Sequence, residues 1–229
     1  MIGGILFDKD GTLFDFRSSW GRWAGGFLGG IARDEAHFQA LADAIGYLPR
    51  AESFAPDSMV IAGTAIEIAE ALLPHLPGET PGGLIAAIDR AAADTRMTEA
   101  VPLVPLFGAL RARGLRLGVA TNDSEAPAWA HLAAHGLTDL VDYVAGQDSG
   151  HGAKPGPGMC LAFARQEGLD PGRVVMVGDS LHDLRAGRTA GMRVVAVLTG
   201  IATHEDLAPH ADAVLADIGG LPGWLDGLG

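Results

Sequence analysis

The sequence predicts an α/β fold, a parallel sheet covered on both faces by helices, with an all-helical insertion after the first strand. Two observations predict the sheet: short apolar runs rich in β-branched residues recur along the chain, and amphipathic segments of about a dozen residues separate them. Strands buried on both faces read as nearly continuous apolar runs, as in "RVVMVG" and "RVVAVL". A long alanine-rich stretch without a convincing strand predicts the insertion.

The N-terminal elements are one strand followed by helices only. The run "IGGILF" predicts a strand at 2–7. Prolines interrupt the stretch that follows, which separates it into several helical segments. The predicted helices of this stretch are 17–32, 34–46, 63–74 and 81–95.

From residue 105 onward, helices and strands alternate. The predicted helices are 105–113, 125–135, 157–167 and 182–190. The predicted strands are 115–121, 140–146, 173–179, 193–199 and 213–216. We therefore expect residues 1–15 and 99–229 to form one discontinuous α/β core, and residues 16–98 to form a helical cap domain inserted into it.

The composition of this 229-residue chain excludes several classes of protein. With 48% hydrophobic and 19% charged residues it can bury a substantial core. A net charge of −12, without a run of Lys or Arg, disfavours nucleic acid and anionic membranes as partners. No window approaches the roughly 18 apolar residues of a membrane span. Because Cys160 is the only cysteine, we expect no internal disulfide and a cytoplasmic location, while the oligomeric state stays open.

Polar residues follow the predicted strands at the edge where ligands bind in parallel sheets. Each has an ordinary alternative: an aspartate after a strand can be a turn residue or a helix cap, and a loop lysine can be solvated. For no functional site to be present, these ordinary alternatives would have to be true at the same time for four loops at one edge of the sheet. The residues are Asp8, Asp10, Thr121, Asn122, Lys154, Asp179 and Asp183.

Phosphoryl transfer through an aspartyl phosphate fits all four loops at once. A carboxylate attacks phosphorus when a metal and fixed donors neutralise the phosphoryl oxygens. Asp8, Asp10 and Asp179 would supply the hard oxygen ligands that Mg²⁺ prefers. Thr121 and Lys154 would contact the non-bridging oxygens, where charge spreads in the transition state. In this interpretation, two acids follow the first strand because one attacks phosphorus while the other donates and accepts the proton.

The segments "DKDGT", "ATN", "KPGPG" and "GDSLHD" occur in this order and resemble the four motifs of the haloacid dehalogenase superfamily. The chain is similar to the phosphoglycolate phosphatase-like branch of that superfamily. The resemblance implies a Rossmann-like core with a C1-type helical cap, and a Mg²⁺-dependent hydrolase of small phosphomonoesters. It also implies that Asp8 is the nucleophile and a metal ligand. Asp10 is implied as the general acid/base, with its main-chain carbonyl on the metal.

The resemblance implies roles for the remaining motif residues as well. Thr121 and Lys154 would bind the substrate phosphate, and Asn122 would support that contact. Asp179 and Asp183 would hold the metal directly or through water. The spacing supports the last pair independently, because positions four apart share one face of a helix.

Three alternatives to simple hydrolysis are weighed on the sequence. The acid at Asp10 separates phosphotransfer relatives from dehalogenases. A phosphomutase of the β-phosphoglucomutase type would use the same core groups. A non-catalytic phosphate-binding or signalling module, such as a receiver domain, also clusters acids with a Thr and a Lys, but it would need neither the insertion at 16–98 nor Asp183. Lys9, between the two acids, is expected to point away from the metal.

The start of the insertion carries the candidates for reading the substrate. Arg17 or Arg22 would pair with a substrate carboxylate or a second phosphate, unless they are surface arginines. Trp20, Trp23 and Phe27 recur at spacings of three and four, which is more typical of a packed helix stripe than of a substrate cage. Phosphoglycolate and sugar phosphates are the substrates suggested by the resemblance.

Overall fold

The computed structural model describes residues 1–228, so Gly229, the last residue of the predicted core, lies outside the described part. Short 3-10 turns connect several of the elements. In chain order, the strands and helices are β1 (Gly4–Phe7), α1 (Phe16–Ile31), α2 (Glu35–Ala44), β2 (Tyr47–Leu48), β3 (Ser53–Phe54), α3 (Ala65–Leu72), α4 (Pro81–Ala93), α5 (Leu103–Ala112), β4 (Arg116–Ala120), α6 (Glu125–Ala134), β5 (Tyr143–Ala145), α7 (Gly158–Gln166), β6 (Val174–Gly178), α8 (Leu181–Thr189), β7 (Arg193–Val197), α9 (His204–Leu207), β8 (Ala213–Leu215) and α10 (Leu221–Asp226).

Six parallel strands form the sheet, in the order β5-β4-β1-β6-β7-β8. Strand β1 pairs with β4 on one side and with β6 on the other, so that Leu6 lies between Gly118 and Met176. This arrangement confirms the predicted α/β class with a parallel sheet. Since β1 is flanked on both sides, the residues that follow it stand at the middle of the carboxyl edge, where ligands bind in such sheets.

Helical layers cover both faces of the sheet, and successive residues of β1 face opposite layers. Ile5 and Phe7 belong to one apolar cluster, where the rings of Phe7 and Phe107 stack with centroids 5.1 Å apart. Leu6 belongs to a second cluster with Met176. The first cluster continues into the helices that follow β1, which ties the packing of those helices to the same core.

The segment between β1 and α5 contains helices α1–α4, as predicted, and also a short antiparallel pair that was not predicted. Tyr47 pairs with Phe54 and Leu48 with Ser53. Strands of two residues carry no period-2 pattern that a sequence could reveal. The turn between them holds Glu52 in the left-handed region, at a φ of 44°.

The two connections between the sheet and this segment run side by side. The Asp15 N–H donates to the Thr98 carbonyl at 2.8 Å, and the Ala100 N–H donates to the Leu13 carbonyl at 2.9 Å. Asp15 also caps α1, because its carboxylate accepts from the Ser18 N–H at 2.8 Å. These two connections lie where the sequence predicts the boundary between core and cap. The division into two domains stays a prediction.

Each helix among residues 1–228 is too short or too polar to cross a lipid bilayer.

Candidate active site

The two lysines of the chain, Lys9 and Lys154, are both buried at the carboxyl edge of the sheet. Lys154 lies in the loop before α7, and its ammonium donates to Oδ1 of Asp8 and to Oδ1 of Asp183, each at 2.6 Å. Asp8 directly follows β1, and Asp183 lies in the first turn of α8. The structure therefore brings three of the predicted motif residues together from three separate loops.

Asp179, which follows β6, completes a cluster of buried acids. One carboxylate oxygen from each of Asp8, Asp179 and Asp183 lies within 4.8 Å of the others. The Thr12 hydroxyl donates to Asp179 Oδ1 at 3.3 Å. Gly11, at a φ of 81°, lies so close to this carboxylate that a Cβ there would collide with it. The backbone is thus shaped to admit the Asp179 side chain.

The helix that carries Asp183 begins with a capping box that orients this side chain. The Ser180 hydroxyl donates to Asp183 Oδ2 at 2.6 Å, and the Ser180 N–H donates to the same oxygen at 3.0 Å. Oδ1 is left for Lys154. A Cβ at position 178 would collide with Asp183. The end of β6 therefore has room for the Asp183 side chain only because residue 178 is a glycine.

Burial and mutual repulsion dominate the electrostatics of the cluster. Burial, followed by the charge of Asp183, raises the pKa of Asp8 from 3.8 to about 7. Burial and the charge of Asp8 raise the pKa of Asp179 well above its usual value. Burial would lower the pKa of the Lys154 ammonium, but the carboxylates of Asp183 and Asp8 outweigh burial and raise it.

The donor set fits a divalent cation. Three buried carboxylates face one ammonium, so an ionised cluster carries an excess of negative charge that a cation would balance. All three side chains offer hard oxygen atoms, which are the ligands that cations such as Mg²⁺ prefer. The residues Asp8, Asp179 and Asp183 can therefore hold a divalent metal ion.

Asn122 ties the loop of Lys154 to the segment inserted after β1. Its side-chain oxygen accepts from the Lys154 N–H at 2.8 Å, and its amide donates to the Lys154 carbonyl at 2.9 Å. The same amide donates to the Ala62 carbonyl at 2.8 Å. Thr121, the neighbouring residue after β4, is buried and lines the same cavity as Asp8.

Asp10 is held by two donors that both reach one of its oxygens. The Lys9 ammonium donates to Asp10 Oδ1 at 2.8 Å, and the indole N–H of Trp20, on α1, donates to the same atom at 2.8 Å. The Lys9 ammonium also lies 5.2 Å from the centroid of the Trp20 ring. The orientation of Asp10 therefore depends on both the first loop and the first inserted helix.

Lys9 is fully buried and makes a second set of contacts away from the three clustered acids. Its ammonium lies 3.1 Å from Asp123 Oδ2 and 3.1 Å from His131 Nδ1. Burial would lower the pKa of Lys9, but Asp10 and Asp123 outweigh it and raise that pKa. The ammonium stays charged, and its described contacts are with Asp10, Asp123 and His131 rather than with the three clustered acids. That Lys9 points away from the metal stays a prediction.

His131 completes this buried set as a neutral acceptor. Burial, and then the charge of Lys9, lower the pKa of His131 to about 4. The ring nitrogen Nε2 lies 2.8 Å from the Ala92 carbonyl, so we assign its proton to Nε2. Nδ1 is then free to accept from Lys9. Sequence analysis did not identify Asp123 and His131, because their partner Lys9 is remote from both in the chain.

A cavity separates these polar residues from the inserted segment. It encloses about 610 Å³ of space between atoms, including its open mouth. Its core side includes Asp8, Asp10, Thr121, Asn122, Lys154 and Asp183. Its other side is formed by Phe16, Trp20, Trp23, Val60, Ile68 and Ile88, which we call the cap wall.

Arg17 and Arg22, the residues that the sequence proposes for substrate recognition, are exposed, and neither is among the residues that line the cavity. The structure brings the predicted core residues together but does not bring these two arginines to them. The predicted aromatic stripe does pack: Trp23 stacks on Phe27 with centroids 5.4 Å apart and meets Trp20 edge-on at 5.1 Å.

Comparison with known proteins gives a family and a set of relatives. Residues 2–191 match a family model described as haloacid dehalogenase-like hydrolase. A phosphoglycolate phosphatase of Rhodospirillum rubrum is 39% identical over 120 residues, which are 52% of this chain and 50% of that protein, so the match spans about half of its length. An N-acetylmuramic acid 6-phosphate phosphatase of Pseudomonas aeruginosa is 29% identical over 222 residues, covering 93% of this chain and 90% of that protein.

A solved structure is similar over nearly the whole chain. CbbY from Rhodobacter sphaeroides, in complex with phosphate, superposes with a TM-score of 0.74 and covers 96% of both chains. At 24% sequence identity, this likeness bears on the fold alone. It agrees with the parallel sheet and the inserted helices described above.

Proposed function

The chain belongs to the haloacid dehalogenase-like hydrolases, and we propose that it hydrolyses a small-molecule phosphomonoester through a phosphoaspartate formed on Asp8. The observation that carries the proposal is the bridge from Lys154 to Asp8 and Asp183 inside the buried acid cluster. A carboxylate at a mid-sheet strand end, paired with a fixed ammonium and a set of metal-binding acids, is arranged for attack on phosphorus.

Mg²⁺ is the metal we propose for the acid cluster. Asp8, Asp179 and Asp183, with the main-chain carbonyl of Asp10, would hold it. When bound, Mg²⁺ supplies positive charge to the phosphoryl oxygens. The raised pKa values of Asp8 and Asp179 support the assignment, since a cation would favour the ionised form that burial disfavours.

The reaction takes two displacements at phosphorus. In the first, an Asp8 carboxylate oxygen bonds to phosphorus while the bond from phosphorus to the alcohol oxygen breaks, and Asp10 gives its proton to that leaving oxygen. In the second, Asp10 takes a proton from water, the water oxygen attacks phosphorus, and the Asp8 carboxylate leaves as inorganic phosphate is formed. Lys154 and Thr121 would stabilise the charge on the non-bridging oxygens, and Asn122 positions the Lys154 loop.

The contacts of Asp10 suggest which of its oxygens carries the proton. Both described hydrogen bonds to this carboxylate, from Lys9 and from Trp20, go to Oδ1. Two donors on Oδ1 favour negative charge there and leave Oδ2 as the atom that donates and accepts the proton. Lys9 and Trp20 act in this scheme as positioning residues.

A phosphomutase of the β-phosphoglucomutase type is the alternative within the same core chemistry. A mutase has to hold a bisphosphate, which requires a second group of cations or donors for the distal phosphate. Among the described residues that line the cavity, Lys154 is the one lysine or arginine, and it serves the core side. This observation favours hydrolysis over phosphoryl transfer to another alcohol.

Phosphate release is the direct test. The panel contains phosphoglycolate and sugar phosphates, which the names of the Rhodospirillum and Pseudomonas relatives suggest, together with neutral alkyl and aryl phosphates. We expect release that requires Mg²⁺ and is lost by at least about 10⁴-fold in Asp8→Asn, as for removal of a nucleophile. Asp139→Asn, the same change at an exposed aspartate outside the cavity lining, should keep full activity.

Activity that survived in Asp8→Asn would remove the proposed nucleophile. As a measurement independent of turnover, beryllium fluoride with Mg²⁺ should raise the Tm of the wild-type protein and leave that of Asp8→Asn unchanged.

A further inference from the structure

The cap wall and the core side of the cavity differ in chemistry. The cap wall consists of aromatic and aliphatic side chains, of which Trp23 and Ile88 are 6% and 2% exposed. The core side consists of carboxylates, an ammonium, two hydroxyls, an amide and the imidazole of His182. If the phosphoryl group binds on the core side, the alcohol part of the ester faces the cap wall.

The cap wall itself provides no counter-ion for an anionic alcohol part: among the described residues that line the cavity, the lysines, arginines and histidines are Lys154 and His182, and both lie on core elements outside the cap wall. Lys154 is already engaged by Asp8 and Asp183. A neighbouring groove shares Asn122 and Lys154 with the cavity and adds two acids, Asp57 and Glu67. A carboxylate or a second phosphate that left water for this wall would lose hydration without gaining a charged partner, which is strongly unfavourable.

One polar group of the cap wall lacks a partner. The indole N–H of Trp23 is buried and donates to no acceptor among residues 1–228. Its ring is fixed between the stacked Phe27 ring and the edge-on Trp20 ring. A buried donor without an acceptor is costly, and a hydroxyl, ether or carbonyl oxygen of a ligand would satisfy it without adding charge.

We propose that the substrate is the phosphomonoester of an uncharged, largely apolar alcohol, with an aryl or alkyl body against the cap wall and at most a neutral oxygen acceptor for Trp23. This inference rests on the phosphatase activity proposed above and narrows its substrate class. It sets phosphoglycolate and bisphosphates apart as poor substrates, because their non-reacting ends are anionic.

A matched pair of esters tests the proposal on the wild-type protein. The esters are 2-phenylethyl phosphate and 2-(4-carboxyphenyl)ethyl phosphate, whose leaving oxygens are too far from the para position to differ in reactivity. With Mg²⁺ present, we expect kcat/KM to be about 10- to 100-fold higher for the neutral ester. Phosphoglycolate should be turned over no better than the carboxylated ester.

The possible outcomes separate the two proposals. Asp8-dependent release that is equal for both esters, or faster for the carboxylated ester or for phosphoglycolate, would overturn the substrate class and leave the phosphatase standing. If no ester of the panel releases phosphate in an Asp8-dependent manner, the phosphatase proposal fails and this inference fails with it.

Variants in the inserted segment then show which residues discriminate between the neutral and the carboxylated ester. Val60→Lys places an ammonium at the cap wall, in a 3-10 turn rather than inside a helix, and should raise the carboxylated-to-neutral ratio of kcat/KM by at least about tenfold. Arg17→Gln and Arg22→Gln, on the same cap but outside the cavity lining, should leave the ratio unchanged. A selective loss of kcat/KM for the carboxylated ester in either arginine variant would show that an arginine binds a charged substrate. This result would contradict the proposal.

Discussion

The two sides of the cavity use opposite physical means to hold their side chains. On the core side, Lys154 bridges Asp8 and Asp183, and Lys9 bridges Asp10 and Asp123. On the cap wall, aromatic rings stack and aliphatic side chains fill the space between helices. From this difference we infer separate roles for the two sides: the core side determines the reaction, and the cap wall determines which alcohol is accepted.

Two of the described hydrogen bonds connect the core side of the cavity to the inserted segment. The indole of Trp20, from the first inserted helix, donates to Asp10, and the amide of Asn122 donates to the Ala62 carbonyl. The proposed proton donor is therefore oriented partly by a residue of the cap wall. Changes on the core side should affect turnover of every ester, whereas changes on the cap wall should affect the choice between esters, except at Trp20.

The largest effect is expected when the core-side ammonium is removed. Lys154→Met eliminates the charge that faces the transferred phosphoryl group, and kcat should fall by about 10² to 10³-fold for all esters alike. The measurement is kcat for the neutral and the carboxylated ester under saturation with Mg²⁺, with circular dichroism to confirm folding. A loss of kcat confined to one ester would show that Lys154 contacts the alcohol part of the substrate. This result would contradict the separate roles proposed for the two sides.

A smaller loss is expected at Lys9, which acts on Asp10 rather than on the substrate. Lys9→Met leaves Asp10 with Trp20 as its one described donor, so we expect kcat to fall by about 10- to 100-fold with little change in KM. The variant also strands the buried Asp123 carboxylate, whose pKa burial already raises to about 6, and this should lower the free energy of unfolding.

A second variant separates positioning from stability. In Lys9→Met/Asp123→Asn the stranded charge is absent, so the stability should return toward that of the wild type. If Lys9 positions Asp10, kcat stays low in the double variant. Recovery of kcat together with stability would assign Lys9 a structural role only.

The charge of the acid cluster predicts how metal-free stability changes with pH. The folded state raises the pKa of Asp8 from 3.8 to about 7, so it binds more protons than the unfolded state between those values, and stability falls as pH rises through that window. Asp8→Asn removes this term. With a chelator present, the Tm of Asp8→Asn minus that of the wild type should grow between pH 5 and pH 8 by about 5 to 8 °C.

Asp179 adds to this difference, because the charge of Asp8 raises its pKa and Asp8→Asn therefore also weakens the loss of stability that Asp179 contributes as pH rises. Titrating groups away from the cluster cancel, because they are common to both proteins. His131, for example, has its pKa lowered to about 4, and its contribution to stability is lost as pH falls from about 6.5 toward 4, the opposite direction. Addition of Mg²⁺ at pH 8 should reduce or invert the difference, since the cation binds the wild-type cluster better. A difference that did not depend on pH would contradict the assigned repulsion in the cluster.

The same contrast explains which parts of the molecule could be predicted from the sequence. Strands β1 and β6 are continuous apolar runs, and Asp8 and Asp179 stand directly after them. The local apolar pattern and the rule that ligands bind at the carboxyl edge of a parallel sheet were therefore sufficient to predict both acids. The partners of Lys9 were not predictable, because Asp123 and His131 lie far along the chain and become neighbours only through the pairing of β1 with β4.

The cap wall was less predictable for a related reason. The helices of the insertion were identified by their periodicity, but periodicity assigns Val60, Ile68 and Ile88 to a buried face without distinguishing a core from a cavity wall. Likewise, the spacing of Trp20 and Trp23 indicates a packed stripe, which the structure contains. That one of these two indoles would donate to a core-side acid depends on the angle at which α1 crosses the sheet edge, and no local pattern encodes it.

These two tryptophans give the finest comparison, because they share a helix and differ in whether the N–H has a partner. Trp20→Phe removes a donor to the Asp10 carboxylate and should lower the free energy of unfolding by about 1.5 kcal/mol more than Trp23→Phe does, about 3 to 5 °C in Tm. Both changes shrink a buried ring equally, so the ring contribution largely cancels between them. Trp20→Phe should also lower kcat for neutral and carboxylated esters alike, whereas Trp23→Phe should act only on esters with a neutral oxygen acceptor. Equal effects of the two variants on stability and on every ester would mean that the cap wall and the core side are not distinct at this helix.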